Sequence, residues 1–161
     1  MLNIGIVGVG AISQKAYLPV MRSIGNVKWY MCTRNQEVLN RESKLLGRCI
    51  PCNTIEELLQ FPLDGVFIHV STNAHFEVAK QFLEKGIPVY MDKPVAPSYE
   101  KTMELYQLAK KHDTFIMAGF NRRFAPKVEV LKSVEDKKRI IAEKNCTVVS
   151  QDTRTRVFDV F

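Results

Sequence analysis

The sequence predicts an α/β fold of the doubly wound kind, a parallel sheet with helices on both faces, and three observations carry that expectation. Strand-like apolar runs alternate with helix-like segments along most of the chain, the order that a parallel sheet with right-handed crossovers requires. The first run, Leu2–Val9, is almost continuously apolar, as a strand covered on both faces must be. A glycine turn, Gly8-Val9-Gly10, stands where that strand hands over to the next segment.

The elements follow in order. After the first strand, Ala11–Ser23 reads as a helix interrupted by Pro19 and closed near Gly25. Val27–Cys32 is a second strand, and Gln36–Leu46 is a helix ending at Gly47, a residue suited to a C-cap. Arg48–Cys52 reads as a short third strand. Thr54 and Glu57, three residues apart, form the capping-box signature that opens the next helix. Val66–Val70 is a fourth strand, followed by a helix from about Asn73 to Lys85 that stops at Gly86. Pro88–Met91 is a fifth strand, Tyr99–His112 an amphipathic helix, and Phe115–Ala118 a sixth strand. Pro126–Lys137 reads as a last helix and Ile140–Ser150 as a strand rich in β-branched residues. The run Val157–Phe161 is apolar and has no cap or polar terminus, which predicts that a further domain covers it.

Composition narrows the class. The 161 residues suit one ordinary domain, and 46% hydrophobic with 25% charged residues is a globular balance that excludes disordered and fibrous chains. No apolar run approaches the ~18–20 residues a membrane span needs. Met1–Val7 lacks the basic start of a signal peptide, so a cytoplasmic protein with no membrane partner is expected. The formal charge is +6, but the basic residues are scattered and the only dense cluster is Lys137-Lys138-Arg139. A solvated helix face accounts for that cluster, so no nucleic-acid partner is expected. A mild positive field also suits a phosphate-bearing cofactor. The four cysteines read as free thiols. Cys49-Ile50-Pro51-Cys52 has C-x-x-C spacing, but on a strand its two thiols point to opposite faces, so no redox pair and no metal site is expected.

The glycine turn continues as Gly8-Val9-Gly10-Ala11-Ile12-Ser13. A lone G-x-G-x-x-G is weak evidence, and here Ser13 fills the third position. Its place, between an apolar strand and a helix in the first βαβ unit, is where a dinucleotide fingerprint belongs. Gly8 permits the tight turn, and Gly10 lets the backbone approach a pyrophosphate at the helix N-terminus, beside Ala11 and Ile12. Flavin and S-adenosylmethionine sites use similar turns. The second strand ends in Cys32-Thr33-Arg34, with no carboxylate of the kind that holds the ribose hydroxyls of NAD. Thr33 and Arg34 instead offer a hydroxyl and a guanidinium to a 2′-phosphate, which favours NADP over NAD. Arg34 as an ordinary exposed helix-start residue would leave that preference undecided.

Beyond the fourth strand, Ser71-Thr72-Asn73-Ala74-His75 is followed by Glu84-Lys85-Gly86-Ile87-Pro88-Val89-Tyr90-Met91-Asp92-Lys93-Pro94, and then by Gly119-Phe120-Asn121-Arg122-Arg123-Phe124. In these three blocks the chain resembles the glucose-fructose oxidoreductase / inositol dehydrogenase / rhizopine-catabolism (Gfo/Idh/MocA) family of NAD(P)-dependent oxidoreductases, over residues 2 to about 125. The resemblance implies a Rossmann dinucleotide-binding domain over 1–125. It makes 126–161 the linking helix and first strand of an α+β substrate and dimerisation domain that the chain does not complete. It implies that Lys93 is catalytic, beside the nicotinamide, where an ammonium polarises a carbonyl or stabilises an alkoxide. It places Ser71, Thr72, Asn73 and His75 along the cofactor cleft, and Asn121 and Arg122 near nicotinamide and substrate. His75 stabilising a helix N-terminus is the alternative. The family's second block usually reads Glu-Lys-Pro, and Asp92 here is a shorter acid at a ribose contact. Pro94 restricts Lys93 to an extended conformation and can carry a cis bond. His69, inside the fourth strand, reads as a packed core histidine, and His112 as a favourable charge at a helix C-terminus.

The resemblance implies hydride transfer between a nicotinamide and a hydroxyl or carbonyl of a sugar, polyol or similar small molecule. It further implies that the full-length protein is a homo-oligomer. The family's proton-transfer His lies on a helix of the second domain, so this chain is expected to bind cofactor with little turnover. The competing reading is a non-catalytic dinucleotide-binding sensor or regulatory module. A methyltransferase reading leaves Asp92-Lys93-Pro94 without a role.

Overall fold

The computed structural model describes residues 1–136, 138, 139 and 141. Apart from Ile141, the strand expected over Ile140–Ser150 lies outside these residues, as does the apolar run Val157–Phe161. The chain divides into two compact units, Met1–Gly119 and a second beginning at Phe120.

In the first unit six strands form one parallel sheet: β1 (Leu2–Val7), β2 (Val27–Cys32), β3 (Cys49–Cys52), β4 (Gly65–Ile68), β5 (Val89–Met91) and β6 (Ile116–Ala118). Their order across the sheet is β3-β2-β1-β4-β5-β6. The direction of winding therefore reverses between β1 and β4, and a doubly wound sheet opens its ligand crevice at that reversal, beyond the carboxyl ends of the strands. The helices are α1 (Leu18–Met21), α2 (Gln36–Leu46), α3 (Ile55–Leu58), α4 (Thr72–Leu83) and α5 (Tyr99–Lys111).

Successive residues of β1 and β2 feed two separate cores, because side chains alternate across a strand. Ile6, Trp29 and Met31 pack with Leu18, Met21 and Leu39 on one face. Val7, Tyr30 and Cys32 pack with β4, β5, α4 and α5 residues such as Ile68, Phe82, Met91 and Leu105 on the other. Each fully buried Leu, Ile or Phe contributes about 1.5–3 kcal/mol, so the continuous apolar runs of the sequence hold both helix layers at once. Pro51 is tolerated because β3 is an edge strand.

The helix starts follow from side-chain caps. Asn35 Oδ1 accepts from Val38 N at 3.1 Å, Thr54 Oγ1 from Glu57 N at 3.1 Å, and Ser98 Oγ from Lys101 N at 3.3 Å. The expected capping box is half formed, since Glu57 Oε2 reaches back to Asn53 N at 2.7 Å rather than to the cap residue itself. The segment expected as one helix over Ala11–Ser23 differs more. Ser13–Tyr17 is a π-helix, and Leu18 N donates to Ser13 O five residues back before α1 begins. Pro19 has no N–H to give an α-helical turn, and widening the turn ahead of it relieves that mismatch. Arg48 has φ +43° and stands outside β3. β4 ends at Ile68, two residues before the expected limit, which leaves His69 and Val70 on the loop.

The second unit begins with a 3-10 turn, Asn121–Phe124, followed by α6 (Pro126–Lys132), shorter than the expected Pro126–Lys137.

Candidate functional site

The site starts at the glycine turn. Gly8 has φ +88°, and a Cβ there would stand 2.8 Å from the His69 carbonyl carbon and oxygen. Its N–H donates to Cys32 O at 2.8 Å. The turn is thus wedged between the ends of β2 and β4, and only glycine satisfies both backbone sign and space. Gly10 is different, because a Cβ on it would meet nothing within 4 Å. Its open side is room for a ligand. Ala11 and Ile12 follow, exposed, and Gln14 N donates to Gly10 O at 3.0 Å to start the helix. Ser13, the third motif position, is fully buried, and its Oγ has no partner among the described residues.

A polar chain braces the turn from behind. Gln14 Nε2 donates to Val9 O at 2.9 Å, and Arg41 Nη2 donates to Gln14 Oε1 at 2.9 Å. Arg41 and Arg22 both hold the Glu42 carboxylate, at 2.9 and 2.8 Å. Glu42 is buried, and the two guanidiniums supply the charge that its burial demands.

In front of the turn lies a cleft of about 590 Å³. Gly8, Gly10, Thr33, Arg34 and Ser71, each expected from the sequence, line it together. Thr33 Oγ1 accepts from Val9 N at 3.4 Å, which ties the end of β2 to the glycine turn, while Arg34 is exposed. Ser71 is the N-cap residue of α4, exposed, with its side chain unused in capping. The sequence reading missed Asn53, Thr54 and Glu56, which also line it. They follow the end of β3, and the rule that ligands sit beyond the carboxyl ends of parallel strands could have found them. Cys32 also lines the cleft, and its thiol is pushed up by burial first and by Glu56 and Glu57 second. Burial likewise raises Cys49 to about 12 and Cys52 to about 11, so the C-x-x-C pair is held as thiols at neutral pH.

Other expected residues are not among those that line the cleft. Thr72 and Asn73 form the first turn of α4. His75 is buried at 1% exposure, its Nδ1 2.7 Å from Pro94 O and its Nε2 3.1 Å from Val70 O. Its ring braces the two loops that carry Pro94 and Val70. Lys93 is half-buried and its peptide to Pro94 is cis. Asp92 points inward. Its Oδ1 accepts from Tyr17 Oη at 2.9 Å, its Oδ2 lies 3.0 Å from His69 Nδ1, and Tyr17 Oη lies 3.1 Å from Tyr90 Oη. His69 is buried as expected of a core residue, but its ring is also hydrogen-bonded to Asp92. Burial, then Tyr90 and Asp92, pushes the Tyr17 phenol well above its usual range. Tyr90 lies on β5 and Asp92 immediately follows its last residue, but no sequence signal announced that Tyr17 would join them. Asn121 opens the 3-10 turn of the second unit. Of Arg122 only the backbone falls within the described residues. Among the described residues no group of His, Cys, Asp and Glu is placed to hold a metal, and no helix is long and apolar enough to cross a membrane.

Comparison with known proteins agrees with this geometry. The Gfo/Idh/MocA family model, an oxidoreductase family with an NAD-binding Rossmann fold, matches residues 2–120. YceM of Salmonella typhimurium, a protein named as an oxidoreductase, is 38% identical over 136 residues, which are 82% of this chain and 43% of that one. The crystal structure of a Gfo/Idh/MocA family oxidoreductase from Vibrio cholerae is 40% identical with a TM-score of 0.74, covering 76% of this chain and 40% of that one. An inositol 2-dehydrogenase of Rhizobium meliloti is 27% identical over 90 residues, 56% of this chain and 27% of its own length. The chain spans less than half the length of these relatives.

Proposed function

The chain belongs to the Gfo/Idh/MocA oxidoreductase family, and from that membership we propose that it supplies the nicotinamide-dinucleotide site and one catalytic lysine of a small-molecule dehydrogenase or reductase. The observation that carries the reading is the pairing of two unlike glycines. Gly8 is required by its own backbone and neighbours, whereas Gly10 faces open space at the start of a helix. A backbone kept bare with no protein neighbour to justify it fits a pyrophosphate.

On this reading Gly8, Gly10, Ala11 and Ile12 present the helix start to the pyrophosphate, and Ser71, Thr72 and Asn73 form the wall at the start of α4. Thr33 and Arg34, at the end of β2, take the adenosine ribose and its 2′-phosphate, so NADP is favoured over NAD. The nicotinamide, when bound, supplies a site that accepts or donates hydride. Lys93 holds its ammonium toward the substrate oxygen, stabilising negative charge as it develops. Pro94 fixes the turn that carries it, and Asn121 and Arg122 serve the substrate side. The substrate class is a hydroxyl/carbonyl pair on a sugar, polyol or similar small molecule, supported by the inositol 2-dehydrogenase relative. Residues from 126 onward belong to the start of a substrate domain.

Titration of the chain with NADPH and separately with NADH, alongside Arg34→Ala, tests the cofactor reading. Tighter binding of NADPH is expected, with Arg34→Ala losing on the order of tenfold or more in NADPH affinity and little in NADH affinity. Equal affinities in the unsubstituted chain would remove the NADP preference. No binding of either dinucleotide would sink the reading itself.

A further inference from the structure

We propose that Asp92 is a positioning residue, held by His69 and Tyr17, that sets the Lys93–Pro94 turn for the nicotinamide end of the cofactor instead of binding ribose itself. The inference rests on the dinucleotide reading above and deepens it.

The Asp92 side chain is 18% exposed and both of its oxygens are engaged, Oδ1 by the Tyr17 hydroxyl at 2.9 Å and Oδ2 by His69 Nδ1 at 3.0 Å. A carboxylate only accepts, so the proton between His69 and Asp92 sits on Nδ1. His69 is among the residues that line the cleft, but its side chain is 0% exposed. Its ring lies against Tyr17, with centroids 4.1 Å apart, and its Nε2 is buried with no partner among the described residues. A ring that leaves one nitrogen unsatisfied is held in place for the bond made by the other.

Stability does not explain such a cluster, because well-packed apolar side chains of the same volume would serve the fold as well or better. Its placement gives the reason. Asp92 immediately precedes Lys93, and its own N–H donates to Ile68 O at 3.2 Å. Pro94 immediately follows Lys93, and its carbonyl is gripped by His75 at 2.7 Å. The lysine backbone is thus pinned on both sides by a buried histidine, directly on one and through Asp92 on the other. Tyr17 comes from the π-helical turn after the glycine motif, so the cluster also couples the pyrophosphate end of the site to the lysine end.

A double-mutant cycle on binding decides the matter. The affinity of whichever dinucleotide the chain binds, and of its adenosine fragment (2′,5′-ADP or ADP), is measured for the unsubstituted chain, Asp92→Asn, His69→Phe and the double variant. Tyr17→Phe, which removes one hydroxyl and keeps the ring, guards against a variant that fails to fold. Each single substitution is expected to weaken the dinucleotide about fivefold or more and to leave the adenosine fragment within about twofold, with the double no weaker than the worse single. Loss in Asp92→Asn with His69→Phe and Tyr17→Phe unchanged would make Asp92 a direct ligand and overturn the inference. Parallel loss of the adenosine fragment would make the cluster a support of the fold at large, and would overturn it equally. Failure of the unsubstituted chain to bind either molecule would instead remove the dinucleotide reading, and this inference with it.

Discussion

At the scale of single residues the two motif glycines make opposite predictions. Gly8→Ala places a Cβ 2.8 Å from the His69 backbone at φ +88°, and is expected to cost at least about 2 kcal/mol of stability. Gly10→Ala meets no atom within 4 Å, so its stability should stay within about 0.5 kcal/mol. Its dinucleotide affinity should nevertheless fall on the order of tenfold, since a methyl group there occupies ligand space. Urea denaturation and a binding titration on the two variants separate fold from site. A Gly10→Ala chain that binds normally would contradict the reading. Ser13 adds a third case, a fully buried hydroxyl with no partner among the described residues. Ser13→Ala should therefore raise stability by about 1 kcal/mol in the same denaturation experiment. The glycines and Ser13 were legible in the sequence because spacing states a backbone constraint directly. Asp92 was legible only as a residue type. Spacing placed it before Lys93 but did not say that its carboxylate turns toward Tyr17 and His69, a choice made by residues 75 and 23 positions away in sequence.

At the scale of elements, strands buried on both faces are the easiest features to read, and β2 and α2 have the limits that the sequence predicts. Ends are harder because they depend on which backbone groups find partners. Thus β4 stops at Ile68, and Pro19 diverts one helical turn into a π-helix that hydrophobic spacing cannot announce. The β2–β3 edge also carries a consequence for pH. Cys49 and Cys52 are raised from 9.0 to about 12 and about 11, chiefly by burial. Unfolded thiols lose their protons near pH 9 while the folded ones keep theirs, so the folded state binds more protons across that window. Stability from this source is fully present below pH 9, declines as pH rises, and is gone above pH 12. Urea denaturation midpoints from pH 8 to pH 11 should fall, and Cys49→Ala should flatten the slope. A flat profile in the unsubstituted chain would show that the thiols ionise freely in the folded state.

At the scale of the whole molecule the sheet order puts the reversal of winding between β1 and β4, and the cleft draws its walls from the ends of β1 and β2 and from the segments after β3 and β4. All of these belong to the unit Met1–Gly119. A dinucleotide bound there contacts four segments that unfolding would disperse, so it must stabilise that unit by mass action. At 100 times its dissociation constant the gain is about 2.7 kcal/mol, which for a unit of this size raises the melting temperature by about 10 °C. The preferred dinucleotide should produce that shift, growing with the logarithm of its concentration, and Gly10→Ala should need a correspondingly higher concentration for the same effect. The chain carries a formal charge of +6, so the shift at fixed ligand should shrink as salt screens the phosphates from the protein. A melting temperature indifferent to both dinucleotides, in a chain that gives a cooperative transition, would mean that the cleft does not hold cofactor on its own.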